Sequence, residues 1–244
     1  RPFDGANLLP LLEGGPPGEL ADRPLFFQRT RYTPVAHSNA AVRRGRWKLF
    51  WPPIATTANA RILLWSAAAA IALGLSMQIG FITHHVTLAQ PLIGTEGAGF
   101  LVSAAGGSAF VGRLILARIV DGVAVRKLAC LVMIAQSAAL LSLAAWPTVP
   151  VLIGASLVYG YGIGHITTLG PIIVRREFGA AAFGATYGAA ASVIQLTTAF
   201  GPALFGVLRD TFGDYRPGLA IASAVTLAAC LILFFGGRLA ATRT

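Results

Sequence analysis

Apolar residues fill six stretches of this chain, and polar residues collect between them. The stretches run Ile62–Val86, Ala98–Val120, Leu128–Ala145, Val151–Val174, Ala181–Leu208 and Gly218–Gly236. A bilayer core about 30 Å thick takes roughly 20 helical residues to cross, and a helix satisfies its own backbone hydrogen bonds on the way. Each stretch therefore predicts a membrane-spanning helix. The breaks fall at PLIGTEG (Pro91–Gly97), DGVAVRK (Asp121–Lys127), WPTVP (Trp146–Pro150), RREFG (Arg175–Gly179) and RDTFGDYRP (Arg209–Pro217), all marked by Gly, Pro or charge. Such short connections make neighbouring helices antiparallel.

The pattern before Ile62 is different. LFFQRTR (Leu25–Arg31), AAVRR (Ala40–Arg44) and RWKLFW (Arg46–Trp51) read as short β-strands, the last two joined by a tight turn at Arg44 and Gly45. Glu13–Pro24 reads as a loop. Residues 1–53 hold eight Lys/Arg, four Asp/Glu and eight of the fourteen prolines, so two unlike pieces meet near Pro53. A piece this small buries too little apolar area for an independent core. The chain starts at Arg1 without a signal-peptide pattern and reads as beginning inside a longer protein. The expected division is 1–53, a junction 54–61, a helical block 62–238 and a tail 239–244.

Composition agrees with a membrane block: mean hydropathy is +0.70 and only 11% of residues are charged, against a soluble average of about 25%. The net charge of +10 has no aromatic-interleaved basic patch beside it, which argues against nucleic acid. It is explained by asymmetry between the two sides. If the block starts in the cytoplasm, Arg61, Arg113, Arg118, Arg126, Lys127, Arg175, Arg176, Arg238 and Arg243 fall inside, and only Arg209 and Arg216 fall outside. That bias puts both ends of the block in the cytoplasm.

Few residues in the block have chemistry to offer. Its carboxylates, Glu96, Asp121, Glu177, Asp210 and Asp214, all lie in or beside loops, so paired-carboxylate chemistry is not expected. Cys130 and Cys230 lack metal-ligand spacing, and the Gly-rich run YGYGIG follows no strand and precedes no GK[ST]. No enzyme, metal or cofactor is expected. Small-residue spacings at Gly160/Gly164 and Gly184/Gly188 predict close helix packing. His165 sits well inside the fourth span among Gly160, Gly162 and Gly164 and ahead of Pro171. A glycine run there weakens the helix and frees carbonyls to line a cavity. The imidazole either carries a proton during transport or is a neutral side chain bonded to a neighbouring helix. Tyr159, Tyr161 and Gln195 lie at similar depth, each explicable as an interhelical hydrogen bond. His84 and His85 fall at the outer end of the first span, where interfacial placement is the default. Arg118 and Asp121, three residues apart, are placed to pair.

Six helices with cytoplasmic ends, and GRLILARIVDGVAVRK (Gly112–Lys127) between the second and third, resemble the C-terminal half of a major facilitator superfamily transporter. REFGAAAFGATYG (Arg176–Gly188) and GPALFGVLRDTFGDYRPG (Gly201–Gly218) look like its monocarboxylate or oxalate/formate branch. The resemblance implies an all-α integral membrane fold, a six-helix bundle preceded by a short β or irregular segment. It also implies that Gly112, Arg113, Arg118, Asp121, Arg126 and Lys127 form a cytoplasmic latch; topology-setting charge is the other reading of the same residues. The first and fourth helices line the cavity in that family, which favours Gln78, Tyr159, Tyr161 and His165 over Gln195. DGANLLPLLEG (Asp4–Gly14), RPLFFQ (Arg23–Gln28) and AVRRGRWKLFWPP (Ala41–Pro53) resemble the C-terminal tail of a sulfatase, without that family's C-x-P-S-R motif.

The expected function is secondary transport of a small solute across the plasma (inner) membrane, with an organic anion coupled to protons as the substrate class the resemblance suggests. Since sites of this kind lie between two halves, the expected partners are the bilayer, the solute, protons, and either a missing N-terminal six-helix half or a second copy. The alternatives are a sulfatase-derived fragment without catalytic residues and a non-functional chimeric or truncated product.

Overall fold

The computed structural model describes residues 25–29, 39–44, 47–51 and 58–241, with side-chain detail for 60–179 and 183–237. The chain divides into two compact units, Arg1–Ile54 and Ala55–Thr244. The expected loop Glu13–Pro24, the turn at Gly45, the first residues of the junction and the end of the tail lie outside the described residues.

In the first unit, β1 (Leu25–Arg29), β2 (Asn39–Arg44) and β3 (Trp47–Trp51) form an antiparallel sheet in the order β1-β2-β3. Phe27 pairs with Ala41 and Ala41 with Phe50, so β2 is the central strand. The aromatic and β-branched residues that favour a pleated strand give the segments the sequence pattern predicts.

The second unit is helical: α1 (Ala58–Ile119), α2 (Val125–Ala145), α3 (Val149–Phe212) and α4 (Arg216–Ala241), with a single 3₁₀ turn at Val120–Gly122. Among the described residues, five stretches are long and apolar enough to cross a membrane: Ala60–Gly122, Val125–Ala145, Val149–Gly179, Phe183–Phe212 and Arg216–Gly237. This is an all-α block compatible with a multi-pass membrane protein.

Neither α1 nor α3 is one straight rod. As a continuous helix α1 would extend about 93 Å at 1.5 Å per residue, roughly three bilayer cores. It breaks at Gly94, where φ is 73° and ψ 174°, a region open essentially to glycine alone. The packing shows what happens there. The first limb of α1 (58–93) meets the first limb of α3 (149–178) at Ile71 against Gly170 and at His85 against Ser156, so one ascends as the other descends. The second limb of α1 (95–119) meets that same α3 limb at Ala105 against Gly160 and at Ala109 against Gly164, both ascending. The two limbs of α1 therefore run in opposite directions, and the chain doubles back at Gly94. The same holds at Gly179, where φ is 76°. Gly201 and Phe205 of the second α3 limb (180–212) meet Ser76 and Gly80, parallel to the first α1 limb and thus opposed to the first α3 limb.

These reversals correct the expected loop lengths. Pro91–Gly97 and Arg175–Gly179 are helical apart from one glycine each, because a single Gly-only conformation turns the chain where several loop residues were anticipated. Helix α2 also starts earlier than expected, at Val125, so Arg126 and Lys127 sit in its first turn.

Two apolar clusters fill the block. One, around Ile71, Leu116, Met133, Ile166, Ile173 and Leu233, lies toward the end that carries Arg126; the other, around Phe81, Leu140, Leu152, Tyr159, Phe205 and Leu219, lies toward the opposite end. Antiparallel α2 and α4 are joined by reciprocal bonds. The Cys130 and Cys230 thiols each donate to the other's carbonyl at 3.6 Å, and seven residues along, Ser137 and Ser223 do the same at 2.9 Å.

Candidate functional site: a polar interior and a charged fastening

Between the two apolar clusters lies a layer of amides. Gln78 of α1, 1% exposed, donates through Nε2 to Gln136 Oε1 at 3.0 Å, and Gln136 Nε2 donates to the Tyr159 carbonyl at 3.2 Å. Gly162 leaves room for the Gln136 amide, since a Cβ there would stand 2.5 Å from it. Among the described residues, two buried polar atoms in this region have no partner: Gln78 Oε1 and the Tyr159 hydroxyl. The Tyr159 ring lies 4.5 Å from Phe81, which in turn lies 4.9 Å from the His85 ring. His85, 2% exposed, bonds Ser156 Oγ at 2.8 Å, so it is an interior side chain and departs from the interfacial default. Neighbouring His84 bridges the Pro202 carbonyl and the Tyr215 hydroxyl, each at 3.1 Å. A carbonyl only accepts, so His84 Nε2 carries the proton toward Pro202.

His165 and Tyr161 face the second limb of α1. His165 Nδ1 donates to the Tyr161 carbonyl of its own helix at 3.0 Å, and the two rings lie 4.5 Å apart. Gly112 packs here: a Cβ on it would come within 2.7 Å of the Tyr161 carbonyl and 3.2 Å of His165 Nδ1. The glycines around His165 do not open the helix as the sequence suggested. Residues 149–178 stay helical, and Cβ atoms on Gly160 and Gly164 would overlap the carbonyl oxygens of Ala105 and Ala109. They allow two backbones to touch, the means by which helices associate in lipid. Of the four residues expected on the substrate path, Gln78 and Tyr159 thus share one network, Tyr161 and His165 share another, and only Tyr161 keeps appreciable exposure.

Gly112, packed on Tyr161 and His165, stands apart, and the other five expected latch residues separate into three groups. Arg126 forms the first group. Its guanidinium grips Glu177 with Nε 2.5 Å from Oε1 and Nη2 2.9 Å from Oε2, and its remaining donors reach the Leu63 carbonyl at 2.8 Å and the Leu233 carbonyl at 2.8 Å. One side chain on α2 thereby ties α1, α3 and α4 together. A guanidinium presents five donors in a planar fork, which suits it to a carboxylate plus two backbone carbonyls. Asp121 forms a second contact, with Arg176 and not with Arg118: Arg176 Nη2 lies 3.1 Å from Asp121 Oδ1 and 2.7 Å from the Val120 carbonyl. The 3₁₀ turn at Val120–Gly122 takes Asp121 off the helical register that would have met Arg118. Arg118 reaches only the Leu114 carbonyl, at 3.5 Å, while Arg113 and Lys127 are exposed with no hydrogen-bond partner among the described residues. Glu177 was the residue sequence reasoning missed, read as loop charge because its partner lies 51 residues away.

A cavity of about 390 Å³ opens between the first limb of α1 and the two limbs of α3, lined by Ile71, Leu75, Thr167, Tyr187, Ile194 and Gln195 among others. None of the four expected substrate-path residues lines it. Among the described residues no group of three or more His, Cys, Asp or Glu is placed to hold a metal. No protein-family model matches the chain, and no curated protein is similar enough to count as a relative.

Proposed function

We propose that the helical block is one half of a secondary transporter, six spans in the plasma (inner) membrane with both ends cytoplasmic, acting on a small solute together with a second six-helix half or a second copy of itself. The observation that carries this reading is the Arg126 fastening. It falls within the motif that resembles the major facilitator superfamily, and it gathers four helical limbs at the end where most basic side chains lie. The reversals at Gly94 and Gly179, which split α1 and α3 into oppositely directed limbs, support the reading of six spans. The second α3 limb has only 17% of its apolar window buried, against 44–56% for the other four stretches, which leaves a face for another half to cover. A bundle fastened at one end and open along one side can rock as a unit against a partner.

The chain is tested in proteoliposomes under an imposed pH gradient, with a panel of small neutral and anionic solutes. At about one copy per vesicle no solute-dependent flux above empty vesicles is expected, because half of a two-lobed site leaves one wall open. If two copies complement each other, flux rises with the square of copy density. Saturable uptake linear in copy number, abolished by His165→Ala, would show that one six-helix unit suffices.

A further inference from the structure

We infer that the cavity between the first limb of α1 and the two limbs of α3 is a binding subsite for a small, uncharged, amphipathic solute. It deepens the transport reading by naming the solute class. The volume, about 390 Å³, lies within the range of ligand sites, roughly 300–1,000 Å³. Its walls are apolar at Ile71, Leu75 and Ile194 and polar at three points. Gln195 offers an amide and Tyr187 a hydroxyl, and among the described residues neither has a hydrogen-bond partner. The third point comes from the backbone. Pro171 has no N–H, so the Thr167 carbonyl lacks the donor that an unbroken helix supplies four residues on, and both residues line the cavity. The Tyr187 ring is held by stacking on Phe183, 5.2 Å away and 7° from parallel.

Donor and acceptor capacity on an apolar wall suits a solute with a polar end and an apolar body. An acyl chain would leave all three polar groups unpaired. None of the residues lining the cavity is charged, so an anion entering it would lose water without gaining a counter-charge. The anion class that the sequence suggested finds no support in this cavity.

The test is thiol labelling of the full chain in phosphatidylcholine nanodiscs. Ala191→Cys places a thiol in the cavity and Thr211→Cys an exposed control, while the native Cys130 and Cys230 are buried and serve as the unlabelled background. N-phenylmaleimide is the neutral amphipathic probe and N-(4-carboxyphenyl)maleimide its anionic counterpart. At Ala191→Cys the neutral reagent should label with a rate that saturates with concentration, and be preferred over the anionic one at least tenfold more than at Thr211→Cys. Gln195→Leu in the Ala191→Cys chain should weaken the saturating affinity by about two- to tenfold, the worth of one hydrogen bond, and leave a Thr211→Cys chain carrying the same change unaltered. Labelling linear in concentration with no charge preference, preference for the anionic reagent, or no labelling at all would each overturn the inference. Because labelling reads binding alone, it can fail while vectorial flux stands, or hold while flux fails.

Discussion

At the scale of single residues, the glycines separate into those that touch and those that do not, and the difference is measurable. Gly160→Ala would force its new methyl into the Ala105 carbonyl, whereas Gly184→Ala meets nothing within 4 Å. Overpacking costs about 1–3 kcal/mol, while an open helical Gly→Ala gains up to about 1 kcal/mol. Thermal melts in one detergent should move in opposite directions for the two variants; equal shifts would mean that the limbs do not approach as described. The Tyr159 hydroxyl supplies a second case. It is buried and unpartnered, so Tyr159→Phe removes an unsatisfied group worth about 1–3 kcal/mol and should leave the melting temperature unchanged or higher. A clear fall would show that the hydroxyl finds a partner in the membrane.

At the scale of elements, Arg126 and Glu177 hold helix ends together with side chains only 15% and 18% exposed. Removing one partner of a buried pair costs about 3–5 kcal/mol, and the residual exposure here lowers that figure. Arg126→Gln should therefore destabilise strongly. Adding Glu177→Gln should restore part of the loss, which a melt of the double variant checks; a double variant that loses the sum of the two single losses would mean the two residues act apart. The reversals give a further prediction. Gly94→Ala and Gly179→Ala force a side chain into a Gly-only region at about 1–3 kcal/mol each, but Gly99→Ala, with open space around it, should be mild. That the block consists of long apolar helices was legible in the sequence, because twenty apolar residues in a row admit few other structures. The one-residue turns at Gly94 and Gly179 were not, since PLIGTEG and RREFG contain enough polar residues to pass as loops. Nor was the Arg126–Glu177 pair, which depends on how α2 and α3 dock. YGYGIG misled for a related reason: glycine predicts either a weak helix or a close contact, and only the neighbouring backbone of Ala105 and Ala109 decides between them.

At the scale of the whole block, everything rests on α1 and α3 each crossing the membrane twice. The alternation puts Glu96, Thr148 and Thr211 at one end, and Lys127 and Arg175 at the other. If the positive-inside bias holds, the second set is cytoplasmic. The measurement is single-cysteine labelling in intact cells with a membrane-impermeant maleimide, in a background carrying Cys130→Ser and Cys230→Ser. Label at Glu96→Cys, Thr148→Cys and Thr211→Cys, with none at Lys127→Cys and Arg175→Cys until the cells are opened, is the result this architecture predicts. Label at Glu96→Cys and Lys127→Cys from the same side, or at Lys127→Cys and Arg175→Cys from opposite sides, would contradict it.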